Sequence, residues 1–352
     1  MNEETIVEIK KGDAKTLQLL YKAYYTHKPK VKPPSHISMR EFAFQLFEKE
    51  SYVRHLSFRS EKELLKYLAD KAPKHAYYSV ALYNFPDAKS MEEKGWRGSE
   101  LLFDIDSDAV PDCQSIRIGD DPLVDDSCLY IGFKLAQRVS AMLKRDLGIE
   151  STIYFTGNRG FHVLVSSERY LDMSKEEREE IASYVMAEGF DVTKVVLMTR
   201  GRRGNIKGEL VISPEDLGWR GWIGAELKER GLLQAVRDLS FIESLVAELR
   251  VPIDKQVTRD PTRLSRLRGS LNGKASLLVT EINENVFVIG PHLSPFRGEA
   301  LVKAKDNIPS IKILGEEVEL RVGEEVELEA PIAVLLASKG VVELLRGEIR
   351  IE

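Results

Sequence analysis

Positions 101 to 106 read Leu-Leu-Phe-Asp-Ile-Asp. An apolar run that ends in alternating carboxylates leaves few folds open. A β-strand turns successive side chains to opposite faces, so Phe103 and Ile105 belong in a core while Asp104 and Asp106 share the other face. Their Cα atoms then stand roughly 6.5–7 Å apart. That spacing suits one or two hard divalent cations, which phosphoryl transfer uses to neutralise a triphosphate and activate a hydroxyl. A solvated strand end is the plain alternative, because D-x-D strings are common, and a complete site needs a further carboxylate from elsewhere in the chain.

Two later segments carry complementary chemistry. Tyr154-Phe155-Thr156-Gly157-Asn158-Arg159-Gly160-Phe161-His162 places two glycines between apolar stretches, the pattern of a tight hairpin whose backbone a ligand can approach. Arg159 at its tip can grip phosphate bidentately, and His162 on the second strand can donate to a phosphate oxygen. A plain hairpin with a surface Arg and a half-buried His fits as well. The segment Asp254 to Lys274 holds six basic and two acidic residues, net +4, in a chain of net -5. Such a local concentration is what a polyphosphate or nucleic-acid backbone requires, although an exposed basic loop would look the same.

Composition narrows the class. The 352 residues are 43% hydrophobic, enough for one large core or two modest ones. The net charge excludes a whole-molecule basic field, so any nucleic-acid contact must be local. With two cysteines, Cys113 and Cys128, a disulfide framework is not expected and a reducing, cytoplasmic setting is. Met1 to Lys11 is charged and lacks an apolar stretch, so no signal peptide is expected. No run approaches the roughly 18 apolar residues of a membrane span.

Periodicity predicts helices over 13–27, 61–71 and 129–147, the last closed by Gly148. Strands are predicted at 100–106, 152–156 and 161–165. Ser174 opens a helix as a capping box with Glu177. The Asp-rich stretch 108–127 reads as loop or a small appended module. The expected architecture is α/β (α+β): a mixed-sheet core formed by 1–169 and 251–352, with a helical insertion subdomain at 170–250. That insertion is interrupted by the Gly- and Arg-rich Arg200 to Gly208.

Taken in order, the D-I-D strand, the T-G-N-R-G-F-H turn and the D-x-x-V-T-x-D-x-x-R-L-x-R-x-x-x-S-L-x-G-K segment resemble the catalytic small subunit of archaeal and eukaryotic DNA primases. Tyr52 to Phe58 and Met91 to Ser99 are similar to archaeal members. The likeness runs from about residue 20 to 300.

It implies that Asp104, Asp106 and Asp254 are the catalytic, Mg²⁺- or Mn²⁺-binding aspartates. It implies nucleotide contacts from Thr156, Arg159, His162, Arg266, Asn272 and Lys274. The implied reaction is primer synthesis from NTPs or dNTPs on single-stranded DNA, in a heterodimer with a primase large subunit and away from membranes. A primase-like repair or end-joining polymerase without a large subunit, and a non-catalytic template-binding subunit, are the alternatives.

Two positions depart from the family pattern. Asn272 stands where a histidine is usual, and Asn cannot carry charge. The zinc knuckle that often follows the D-x-D strand falls here on Cys113, Asp120, Asp125 and Cys128, within a 108–128 module. Structural zinc prefers Cys and His, so either a two-Cys, two-Asp zinc site or a metal-free module is expected.

Overall fold

The computed structural model describes residues 5–10, 15–27, 29–109, 113, 115–117, 121–200, 206–233, 238–282 and 286–352. Its centre is a four-stranded antiparallel sheet in the order Thr280–Ile282, Thr152–Phe155, Gly160–Val165, Leu101–Asp106. Every residue of Gly160–Val165 is buried, as a strand covered on both faces must be. Phe103, Ile105, Phe161 and Val163 face the main core. On the opposite face Leu102, Leu164, Tyr154 and Val80 form a small apolar floor. Asp104 and Asp106 lie on the Leu102 side of the pleat, which puts them at the margin of that floor.

The helix Asp126–Leu147 packs across the main-core face. It starts three residues before the predicted 129 because Asp125 caps it, accepting the Ser127 N–H at 2.8 Å. Gly148 closes it in the left-handed conformation, φ 66°. The neighbouring carboxylate of Asp126 accepts the N–H groups of Leu314 and Gly315, at 3.0 and 2.7 Å. These bonds tie the helix start to the C-terminal region.

A second four-stranded sheet, Leu264–Arg266, His75–Ser79, Phe42–Gln45, Tyr52–Leu56, flanks the first. A third contains Ile6–Lys10, Val342–Ile351, Phe296–Ala304 and Glu325–Glu329. The helix Ala330–Ser338 lies against that sheet and ends beside Lys339, its C-cap.

Between 170 and 250 lie the helices Lys175–Val185, Gly218–Glu229 and Leu239–Leu249, with a hairpin of Val196–Arg200 and Ile206–Leu210. The sequence reading had only a helical break in that place; residues 201–204 lie outside the described residues. The Ser174–Glu177 capping box forms as read. Buried residues of these helices, Val185, Ile223 and Leu245 among them, are continuous with the main core. Asp146 anchors the region, accepting from Tyr184 Oη, Trp222 Nε1 and Gly218 N at 2.5, 2.7 and 2.9 Å. Among the described residues no helix is long and apolar enough to cross a membrane.

Candidate active site

The Leu101–Asp106 strand pairs antiparallel with Gly160–Val165 in a register that sets His162 opposite Asp104 and Gly160 opposite Asp106. Only a residue without a side chain fits at 160: a Cβ would stand 2.9 Å from the Ile105 carbonyl and 3.1 Å from Asp106 Oδ1. The third aspartate arrives from far downstream. The Asp254 N–H donates to the Asp104 carbonyl at 3.1 Å, and Asp254 Oδ1 caps the short helix Lys255–Arg259 through Gln256 N and Val257 N.

Both strand carboxylates are raised. Burial, and then the charge of Asp254, push Asp104 up to about 6, against the pull of Arg266. Asp106 is raised as well, by burial and by Asp104. Carboxylates raised by one another gain most from a hard cation between them. Among the described residues no three potential ligands form a preassembled cage.

His162 is buried on the same face. Burial, and then Arg266, push it down to about 3, so it stands 3.5 Å from Asp104 as a neutral imidazole rather than as part of an ion pair. Its Nδ1 meets the Ser265 hydroxyl at 3.3 Å. A hydroxyl donating there leaves Nε2–H to face Asp104.

Arg266 lies over the Tyr77 ring at 5.0 Å and reaches His75 Nδ1 at 3.1 Å. His75, which the sequence reading passed over, also accepts the Gly273 N–H at 3.3 Å and is pushed down to about 3 by burial, then by Arg266.

The hairpin tip brings Arg159 beside the carboxylates. Its Nε stands 3.9 Å from Asp106 and 2.9 Å from Asp108, and its Nη1 is 2.6 Å from Asp121. Thr156 Oγ1 is turned inward, donating to the Gly160 carbonyl at 2.9 Å. Lys274 reaches Asp121 at 3.2 Å. Lys339, outside every motif, pairs with the same carboxylate.

Asn272 is placed differently from a phosphate ligand. It is fully buried; its Nδ2 donates to the Thr156 carbonyl at 2.8 Å and its Oδ1 accepts the Lys274 N–H at 3.1 Å. Its amide joins the glycine turn to the lysine turn.

Of the two readings of the 108–128 module, the structure bears on the cysteines, and it departs from the expectation that no disulfide forms. Cys113 and Cys128 form a disulfide, which takes both sulfurs from a metal. Asp125 is occupied as a helix cap and as acceptor for the Lys312 N–H at 2.9 Å, and Asp120 lies outside the described residues. The strands Ser115–Ile116 and Leu123–Val124 pair within this module.

The pattern described as DNA primase small subunit matches residues 103–284, from the Leu101–Asp106 strand through Thr280–Ile282, the fourth strand of the central sheet in chain order. The DNA primase small subunit PriS of Aeropyrum pernix is 48% identical over 331 residues, 94% of this chain and 93% of its own. The chain belongs to the DNA primase small subunit family. Its relatives from Staphylothermus marinus and Sulfolobus acidocaldarius, also DNA primase small subunits PriS, are each 33% identical and cover 94% of this chain and 95% of their own. Lys339 falls beyond the matched family segment. Nothing in the spacing of motifs pointed to it or to His75, because each reaches the site from an element that carries no motif of its own; Asp121 lies in the 108–128 module, beside the candidate Asp120, but the module's spacing singled out other residues.

Proposed function

We propose that this chain is the catalytic subunit of a DNA primase, joining NTPs or dNTPs into short primers on a single-stranded DNA template. The observation that carries the reading is the Asp254 N–H bond to the Asp104 carbonyl, which sets the third aspartate beside a strand already carrying two.

Asp104, Asp106 and Asp254 would hold Mg²⁺ or Mn²⁺. When bound, such ions neutralise the triphosphate and lower the pKa of the attacking 3′-hydroxyl. The chain's own groups do the positioning. Arg159, beside Asp106, grips the phosphates as they enter, and Lys274 adds charge further along. The Nε2–H of His162, aimed at the carboxylate face, donates to a phosphate oxygen. Arg266, steadied on Tyr77, offsets the negative charge that accumulates around Asp104. Asn272 holds the two phosphate-binding turns in register. Orientation and preorganised charge are the main protein contributions to phosphoryl-type transfer. A primase large subunit is the proposed partner.

The test is synthesis on single-stranded DNA with labelled nucleotides and Mg²⁺ or Mn²⁺, with and without a large subunit, comparing wild type and Asp104→Asn. New strands from wild type alone support the reading. Extension of supplied primers without new strands, even with a large subunit present, favours a repair-type polymerase. Equal activity in the variant removes the metal assignment.

A further inference from the structure

Three cations meet one carboxylate beside the metal strand. Asp121 accepts from Arg159 Nη1 at 2.6 Å and from Lys274 Nζ at 3.2 Å, and it pairs with Lys339 Nζ. Lys339 completes its set with the Asn158 Oδ1 and Pro122 carbonyl, at 2.8 and 3.1 Å. Its side chain is only 3% exposed. A buried ammonium is costly unless its charge is matched. Here burial, together with Arg159 and Lys274, lowers Lys339, and Asp121 opposes the shift. Burial alone would raise Asp121, yet Lys339, Lys274 and Arg159 hold it below the usual carboxylate range. Asp121 is shared by all three cations, while Arg159 is also paired with Asp108 at 2.9 Å and lies 3.9 Å from Asp106; the two lysines have Asp121 as their common carboxylate.

Cations gathered on one shared carboxylate present the donors that a polyanion can take over. Arg159 spans from Asp106 to Asp121, with Nε toward the first and Nη1 toward the second. Asp121 therefore lies on the side of Arg159 away from the metal strand, where the far end of a triphosphate would extend. Asn158 and Arg159 occupy the tip of the same glycine turn, so Lys339 is fastened to the turn that receives phosphate. Asp121 sits between the paired strands Ser115–Ile116 and Leu123–Val124, on a segment separate from the central sheet.

We propose that Lys339 is a third cation of the triphosphate site, and that Asp121 is a resident counter-anion displaced by the terminal phosphate of an incoming nucleoside triphosphate. This rests on the nucleotide-polymerising reading above. The phosphate takes over the donors of Arg159, Lys274 and Lys339 as the carboxylate leaves. Asp121 keeps the cations together while the site is empty and competes with weakly charged ligands.

The two partners of this ion pair have opposite predicted effects. Lys339→Met removes a phosphate ligand while keeping the apolar stem; Asp121→Asn removes a competitor while keeping the shape. The experiment measures binding of ATP and of inorganic tripolyphosphate, with Mn²⁺, to full-length protein by calorimetry. Circular dichroism checks that each variant is folded. Lys339→Met should weaken both ligands about 10- to 100-fold, the worth of one or two charge-assisted hydrogen bonds. Asp121→Asn should tighten both several-fold, and AMP should be little affected by either.

If both substitutions weaken binding, the pair is a structural brace and the proposal fails. It also fails if Lys339→Met changes nothing. Should Lys339→Met not fold, Asp121→Asn decides alone: tighter tripolyphosphate binding supports the proposal, and unchanged or weaker binding overturns it. Wild-type protein that binds neither ligand overturns the polymerase reading, and this inference with it.

Discussion

The Asp254 amide N–H and the Asp104 carbonyl oxygen lie 3.1 Å apart, so two carboxylate-bearing residues from distant segments are joined through their backbones. Their side chains are not needed for the join. Replacing the Asp104 carboxylate therefore leaves this join standing, whereas the Asp254 carboxylate also caps the helix Lys255–Arg259.

Asp104→Asn should reduce nucleotide incorporation at least about 1,000-fold, as expected where a metal ligand acts in the transition state. The same variant should be more stable than wild type without metal. The folded carboxyl titrates near 6 rather than 3.8, so the fold disfavours its ionised form and stability falls as pH rises through that window. Above pH 6 the amide escapes this penalty. Because the carboxyl is 30% exposed, the gain is about 1–2 kcal/mol rather than the full shift. Calorimetric melting in EDTA at pH 7.5 checks it; at pH 3.5 the difference should vanish.

The acid limb of activity should lie near pH 6 at low metal concentration and move to lower pH as Mg²⁺ or Mn²⁺ is raised. Proton and cation compete for the oxygens of Asp104, which burial and Asp254 raise to about 6. His162, pushed down to about 3, adds nothing to that limb. Rate–pH profiles at two metal concentrations decide the matter, and a limb that stays in place contradicts the prediction.

Asn272→Ala should cost stability and nucleotide affinity together. It leaves the Thr156 carbonyl and the Lys274 N–H without their partners in a fully buried position. Each orphaned group costs about 1–3 kcal/mol. The adjoining turn cannot absorb the loss by moving inward: Gly157, at φ +77°, lies so close that a Cβ there would stand 2.7 Å from the Leu277 carbonyl. A KM for nucleotide that rises more than kcat falls is the expected kinetic signature.

The 108–128 module should carry no zinc. Cys113 and Cys128 are joined across a sequence separation of 15, a loop whose closure is worth about 3 kcal/mol in the chain-entropy description. Thiol titration of the unreduced protein should find neither cysteine, and reduction should lower the melting temperature without releasing metal. One zinc per chain with two reactive thiols would contradict the disulfide.

Much of the scaffold was legible because it depends on local periodicity. Alternation alone separated Phe103 and Ile105 from Asp104 and Asp106, and their strand has that division of faces. Ser174 and Glu177 announced a helix start, and Gly148 a helix end, through backbone groups within a few residues. The helix after the Asp-rich stretch was placed three residues late. Its cap, Asp125, was instead one of four candidate zinc ligands in a module that could equally be metal-free, and a carboxylate's partner is not written in its neighbours.

The sequence by itself determined which residues share a strand face, where the caps lie and which basic and acidic types are present, because these follow from backbone geometry over a few residues. Only the tertiary structure decided that Asn272 braces two turns, that His75 stands against Gly273 and Arg266, and that Asp121 gathers Arg159, Lys274 and Lys339. Those relations join segments far apart in the chain. They depend on how separate sheets pack, which no local period specifies.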